Sequence, residues 1–415
     1  MRLKTATQTQ LLHSDRQLPY ALGGVHAPLS TSVLYGQASA ADLVAAFNGT
    51  KPSFTYARQG TPTTAALETK VTLLEGGSAT VCFSTGMAAI AATMMSLLVA
   101  GDHVVCSKHV FGNTASLLGT LARFGVQISS VDTTSIEQVE AALTATTRMV
   151  FVETIANPGT QIPAFEAIAD LCRRNNVLFV VDNTLATPIL FRPKNVGASL
   201  VVNSLTKAMG GHADAMGGAV TDTGLFDWGS YPNIDPLYRK GDSAGWGLQQ
   251  VRKKGLRDMG AALRPDDAHK ISIGLETLEL RVLQSAKTAL ALARWLATRP
   301  EIRAVRYPGL PNHPQHDVAT PLLGGIYGAM LSFELADGLD LFKFLDALQV
   351  VILSTHLSDA RTLAIPVAQT IFSEAGPEAR ANAGIAEGLV RLSVGLEREE
   401  DLIEDFAQAL GGLQR

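Results

Sequence analysis

Short apolar runs and segments of helical spacing alternate through the first half of the chain. Val104-Val105-Cys106, Val126 to Val131, Met149 to Val152 and Val177 to Val181 are rich in branched residues. Continuous runs of this kind predict strands buried on both faces of a sheet. Between them, Thr114 to Phe124 predicts a helix, and Ile136, Val139 and Leu143 mark a second at the 3.6-residue period. Phe165, Ile168, Ala169 and Cys172 mark a third. Strands alternating with helices predict a parallel sheet joined by right-handed crossovers. One further run, Ser199 to Val202, ends in Asn203-Ser204-Leu205-Thr206-Lys207.

The flanks read differently. Residues 1–60 hold few periodic segments and predict an extended arm that packs on a neighbouring subunit, since alone it buries little. Thr63 to Glu75, with Ala66, Leu67, Val71 and Leu74 on one face and Gly76-Gly77 behind, predicts a helix. Val81 to Met87 then leads into an Ala-rich helix. Beyond Gly217 the pattern loosens around Trp228, Tyr231, Tyr238 and Trp246. A single long helix is expected from Ile271 through Trp295. Leu331 to Leu335 alternates and predicts a half-exposed strand, Leu339 to Leu348 a helix, and Val350 to Leu353 and Arg391 to Gly395 two more strands. Ile403, Phe406, Ala407 and Leu410 face a closing helix. The chain is therefore expected to be α/β, with an arm (1–60), a large domain (61–270) built on a mostly parallel central sheet, and a smaller C-terminal α+β domain (271–415).

Bulk properties narrow this picture. With 415 residues, 47% hydrophobic and 17% charged, the chain can bury a sizeable core. A net charge of −4 offers no basic footprint for nucleic acid, so the basic and aromatic residues between Trp228 and Lys254 read as core and interface. Cys82, Cys106 and Cys172 form no CxxC pair, which fits a reducing compartment rather than a disulfide frame or a metal site. Residues 1–17 show no signal-type apolar block, and the longest apolar run, Ala88 to Ala100, falls short of the roughly 20 residues of a membrane span. A soluble cytoplasmic protein without membrane or nucleic-acid partners is expected.

Two buried runs end in chemistry. Val177 to Val181 stops at Asp182, and the run through Val202 leads to Lys207. Ligands of open α/β sheets collect at the carboxyl ends of strands. A carboxylate and an amine there suit pyridoxal 5′-phosphate, which needs a lysine amine for its aldehyde and an acid partner for its ring nitrogen. Ser204 and Thr206 offer hydroxyls to a phosphate. Ser84-Thr85-Gly86 ahead of a helix is an anion-site pattern, although Ser and Thr also cap helices routinely. Arg58 beside Tyr56 can clamp a phosphate or be a surface pair.

Taken in order, Tyr56-Ala57-Arg58, Ser84-Thr85-Gly86-Met87, Glu153-Thr154-Ile155-Ala156-Asn157-Pro158, Asp182-Asn183-Thr184, Ser204-Leu205-Thr206-Lys207 and Arg391-Leu392-Ser393-Val394-Gly395 resemble the Cys/Met-metabolism PLP-dependent enzymes, the cystathionine γ-synthase-like family of fold type I. The likeness spans nearly the whole chain. It implies that Lys207 binds the cofactor covalently and shuttles protons, and that Asp182 pairs with the pyridine nitrogen. It implies phosphate contacts from Gly86, Met87, Ser204 and Thr206, and from Tyr56 and Arg58 toward a partner subunit's cofactor. Asn157 would meet the ring hydroxyl and Arg391 the α-carboxylate of a small amino-acid substrate. It further implies a homotetramer built from dimers that share active sites.

Two positions depart from the family pattern. Phe111-Gly112-Asn113-Thr114 carries Phe where the family usually has a ring-stacked Tyr, and Asn113 is not the Cys that methionine γ-lyases often place there. Phe stacks but donates no proton. A thiolate leaving group gains from an acid and a carboxylate does not, because their conjugate acids lie near about 8.5 and 4. His356 stands where Ser is more usual, and is either a substrate contact or a satisfied polar residue at a strand end. The expected activity is γ-replacement on an O-succinyl- or O-acetylhomoserine with sulfide or cysteine, giving homocysteine or cystathionine. The alternative is a γ-lyase releasing 2-oxobutanoate or a related product from methionine, cystathionine or another γ-substituted amino acid.

Overall fold

The computed structural model describes residues 5–17, 24–374 and 376–414. Among these the main strands form two sheets. The larger contains β1 (Ala79–Phe83), β2 (His103–Ser107), β3 (Gln127–Val131), β4 (Thr147–Glu153), β5 (Leu178–Asp182), β6 (Leu200–Asn203) and β7 (Gly218–Asp222), in the order β1-β7-β6-β5-β4-β2-β3. Strands β6, β5, β4, β2 and β3 pair in parallel, and only β7 runs against its neighbours.

The two-residue period of a strand explains why the central runs contain almost nothing polar. Val104, Cys106, Met149, Phe151, Leu178, Val180, Leu200 and Val202 point to one face, with Ala89, Ile90 and Leu97 of the Gly86–Leu97 helix. Val105, Val150, Val152, Phe179 and Val181 point to the other, with Phe165, Ile168 and Cys172 of the Phe165–Asn175 helix. Each face has its own helical cover, so both sets must be apolar.

The second cluster continues without interruption into the C-terminal sheet, through Leu331, Phe333, Leu392 and Phe406. That sheet holds β8 (Ile302–Arg306), β9 (Met330–Leu335), β10 (Ile352–Leu353), β11 (Leu363–Pro366) and β12 (Leu389–Ser393), in the order β10-β11-β12-β9-β8. The shared core fixes the C-terminal sheet against the strand ends that carry Asp182 and Lys207.

Several expectations need correction. The strand expected to be half-exposed is buried along its whole length, Met330–Leu335. Its polar members are satisfied internally: the Ser332 hydroxyl donates to the Pro158 carbonyl at 2.8 Å, and Glu334 pairs with Arg306. The single helix expected from Ile271 is two, Pro265–Glu276 and Leu278–Leu296, broken where Thr277 takes φ −111° and ψ 10°. The boundary placed at residue 270/271 falls inside the first of these. The Val350 run shortens to the exposed pair Ile352–Leu353.

Strands β7, β8 and β11 carried no clear period in sequence. β7 opens Gly218-Ala219 because its first residue abuts the Thr85 carbonyl, where an added Cβ would stand only 2.1 Å away. Trp228 and Tyr231 are buried, the indole donating to Asp222 at 2.7 Å and the phenol to the Leu97 carbonyl at 2.7 Å. Among the described residues no helix is long and apolar enough to cross a membrane.

Candidate active site

Strands β4, β5 and β6 end side by side, and their last residues, Glu153, Asp182 and Asn203, carry polar groups after apolar runs. In register, Glu153 at the end of β4 faces Asp182 at the end of β5. A cavity of about 270 Å³ opens over these ends, lined among others by Gly86, Phe111, Asp182, Ser204, Lys207 and Arg391. Met87, Glu153 and Asn157 also line it.

The Lys207 amine sits 3.2 Å from Nδ1 of His356. Burial, and then the Arg391 charge, hold that amine down at about 8. Burial and the Lys207 charge hold the His356 imidazole down at about 4, so at neutral pH the ring is uncharged and accepts a hydrogen bond from the amine. His356 does not itself line the cavity, though Thr355 and Leu357 on either side do.

Asp182 accepts the Thr184 amide at 3.0 Å and the Thr184 hydroxyl at 2.5 Å, both on Oδ1. That hydroxyl in turn accepts the Ser204 amide at 2.8 Å, which couples β5 to the loop bearing Lys207. Burial pushes the Asp182 carboxyl up against these two donors. Glu153 has one donor, the Phe111 amide at 2.5 Å, and burial together with the Asp182 charge pushes it well above the carboxylate range. With fewer donors, Glu153 is the member of the pair that keeps a proton.

Arg391 is 2% exposed and has no carboxylate partner among the described residues. It donates to the Thr355 and His356 carbonyls at 3.0 and 3.2 Å and to Asn157 at 3.4 Å, while its Nε finds no acceptor. Burial lowers the guanidinium to about 10. A buried cation without a carboxylate partner, set in the wall of a cavity, is a receptor for an anion.

A second anion position lies at the Gly86–Leu97 helix. Thr85 caps it, accepting the Ala88 amide at 3.0 Å, and Gly86 and Met87 are the uncapped amides of the first turn. A Cβ at Gly86 would stand 2.7 Å from that of Ser204, so only glycine lets this turn close on the Ser204 loop.

Three expected contributors lie elsewhere. The Thr206 hydroxyl donates to the Gly217 carbonyl at 3.1 Å and accepts its amide at 3.0 Å, and Thr206 does not line the cavity. Tyr56 and Arg58 lie outside the cavity of their own chain. The guanidinium stacks 5.5 Å from the Tyr56 ring and donates to the Arg257 carbonyl at 2.5 Å. Sequence reasoning assigned no role to Glu153, Thr184 or Glu75. Glu153 ends a buried apolar run just as Asp182 does, and that position was a usable signal.

The residues fit pyridoxal phosphate on their own chemistry: a buried amine of lowered basicity, a carboxylate at the neighbouring strand end, and a glycine-opened helix terminus for a phosphate. The fold and the site together define a PLP-dependent enzyme of fold type I. The chain belongs to the Cys/Met metabolism PLP-dependent enzyme family, whose sequence profile matches residues 8–411. It is 41% identical over 362 residues to an L-methionine γ-lyase of Fusobacterium nucleatum subsp. polymorphum, covering 86% of each chain. It is 37% identical over 388 residues to the O-succinylhomoserine sulfhydrylase of Pseudomonas aeruginosa, covering 93% of this chain and 90% of that one. Its fold superposes with a TM-score of 0.93, at 28% identity, on a Campylobacter jejuni protein assigned as an O-acetylhomoserine (thiol)-lyase. The superposition covers 98% of this chain and 100% of that one, which carries a pyridoxyl-lysine phosphate residue. This chain is thus a PLP-dependent enzyme of sulfur amino-acid metabolism.

Proposed function

We propose that the enzyme catalyses γ-replacement: the carboxylate of an O-acylhomoserine leaves from Cγ, and sulfide or the thiol of cysteine bonds there. The observation that supports this reading best is Phe111. It stands in the cavity wall, 37% exposed, and no tyrosine of the same chain lines the cavity among the described residues. A carboxylate departs without a proton, whereas a thiolate gains from an acid, since their conjugate acids differ by about 4 units.

The remaining residues divide the work. Arg391, in the cavity wall, holds the substrate α-carboxylate and so orients the Cα–H bond toward the site. Lys207, its basicity already lowered, takes and returns protons at the substrate carbons, and His356 keeps the amine aimed. Bound PLP supplies the electron sink that stabilises negative charge at those carbons. Asp182 would pair with its ring nitrogen, Asn157 with its ring hydroxyl, and the Gly86 turn with Ser204 would hold its phosphate. Tyr56 and Arg58 would serve the phosphate in a partner subunit, which makes a dimer the smallest active unit.

A second reading, γ-elimination from methionine or a related amino acid, draws on the 41% and 40% identity to two methionine γ-lyases. Steady-state assays separate the two. O-succinyl- or O-acetylhomoserine with sulfide should give homocysteine and succinate or acetate. If neither ester reacts while methionine alone yields ammonia and 2-oxobutanoate, γ-elimination stands in its place.

A further inference from the structure

Below the cavity floor lies a carboxylate that touches no part of the cavity. Glu75 is the last residue of the Pro62–Glu75 helix and is fully buried. Its Oε1 accepts two side-chain amides, Asn203 Nδ2 at 2.7 Å and Asn183 Nδ2 at 3.1 Å. Asn183 spends its other amide proton on the Phe191 carbonyl at 2.8 Å, and its own oxygen accepts the Thr154 hydroxyl at 2.8 Å. The chain Thr154, Asn183, Glu75, Asn203 thus crosses the carboxyl ends of β4, β5 and β6, and all four side chains are buried.

The three partners of this network besides Glu75 each adjoin a residue of the site. Thr154 follows Glu153, Asn183 follows Asp182, and Asn203 precedes Ser204. We propose that Glu75 is a positioning residue that ties these three strand ends together and thereby sets where Asp182 and Ser204 stand relative to the cofactor.

The location makes the carboxylate costly. The C-terminus of a helix is the negative end of its dipole, which disfavours an acid there. Glu75 Oε2 is buried with no hydrogen-bond partner among the described residues. Burial pushes the carboxyl up to about 7, against both asparagines and the nearby Arg192 charge. A group held against these penalties is retained for the geometry it imposes. The proposal does not depend on whether replacement or elimination is catalysed, because both need the cofactor in the same seat.

The test uses purified apoprotein and added pyridoxal 5′-phosphate. Glu75→Ala removes the common acceptor, and Glu75→Gln keeps an oxygen that both asparagines can reach. Leu410→Ala, in the closing helix, is a destabilised control far from the strand ends. The readouts are the PLP dissociation constant, the absorption of the lysine-bound cofactor with the pH midpoint of that band, and the apoprotein Tm. Glu75→Ala should weaken PLP binding tenfold or more and move the band or its midpoint, with Glu75→Gln within about threefold of the parent. Leu410→Ala should lower Tm and leave both cofactor readouts in place. Should Glu75→Ala not fold, Asn203→Ala cuts one arm of the network and should weaken PLP binding at least threefold. The proposal is overturned if the alanine variants bind PLP with the parent's constant and spectrum. It is equally overturned if Glu75→Gln is as impaired as Glu75→Ala, or if Leu410→Ala shifts the cofactor readouts as much.

Discussion

His356 Nδ1 and Lys207 Nζ stand 3.2 Å apart, and both groups are displaced toward their uncharged forms. A neutral imidazole beside a weakly basic amine gives that amine a directional acceptor without adding a charge. His356→Ala should retain PLP and lower kcat by roughly tenfold, the worth of one net hydrogen bond of about 1.4 kcal/mol. KM for the amino acid should change little, because Arg391 is untouched. Steady-state kinetics decide this, and an unchanged kcat would reduce His356 to packing.

The Lys207 amine should titrate near 8. A base whose folded pKa is depressed is increasingly neutral as pH rises through that lower value, so half of the apoprotein carries the free amine at about pH 8. Its reaction rate with an aldehyde or acylating reagent should level off above this midpoint. Arg391→Met removes a neighbouring positive charge and should move the midpoint upward. A midpoint above 10 in the parent protein would contradict the burial argument.

Arg391 should discriminate fork from point charge. Arg391→Lys keeps a cation but loses the planar pair of donors, and Arg391→Gln loses the charge as well. KM for an O-acylhomoserine should rise in the order parent, Lys, Gln, with about a hundredfold loss for Gln if a charged hydrogen bond of roughly 1.5–3 kcal/mol disappears. Cofactor affinity, measured separately, should be little affected.

Phe111→Tyr restores a phenol to the cavity wall. The ratio of methionine γ-elimination to O-acylhomoserine turnover should rise, by up to the 10²-fold order that general acids contribute. An unaltered ratio would mean that another group protonates the leaving atom, and Phe111 would lose its weight in the substrate assignment.

Shared sites are open to a mixing experiment. Lys207→Ala and Arg58→Ala should each be inactive or severely impaired alone. A hybrid dimer of the two holds one site with both residues intact, so co-refolded or co-expressed subunits should regain activity. Absence of recovery in verified hybrids would remove Arg58 from the partner's site.

Much of this enzyme is legible in its amino-acid sequence. Val177 to Val181 and Met149 to Val152 are apolar at every position because both faces of the sheet are covered, and that pattern survives in one dimension. The polar residues that end such runs, Asp182 and the Ser204 to Lys207 segment, were legible for the same reason. Met330–Leu335 misled because Ser332 and Glu334 look solvent-facing in sequence, while their partners Pro158 and Arg306 come from elsewhere in the chain. The break at Thr277 and the opening of β7 likewise answer to neighbours: the buried Arg281 grips the Gly274 carbonyl at 2.6 Å, and Gly218 yields space to Thr85.

The amino-acid sequence by itself determined the alternation of strands and helices, the amine and carboxylate at the strand ends, and the family they belong to. These depend on local period and on residue type, which are properties of neighbouring positions. Only the tertiary structure decided that His356 reaches Lys207, that Glu153 shares a charge problem with Asp182, and that Glu75 binds Asn183 and Asn203 together. Those relations join residues 29 to 149 positions apart, and nothing in a local pattern encodes which distant side chains packing will bring within hydrogen-bond range.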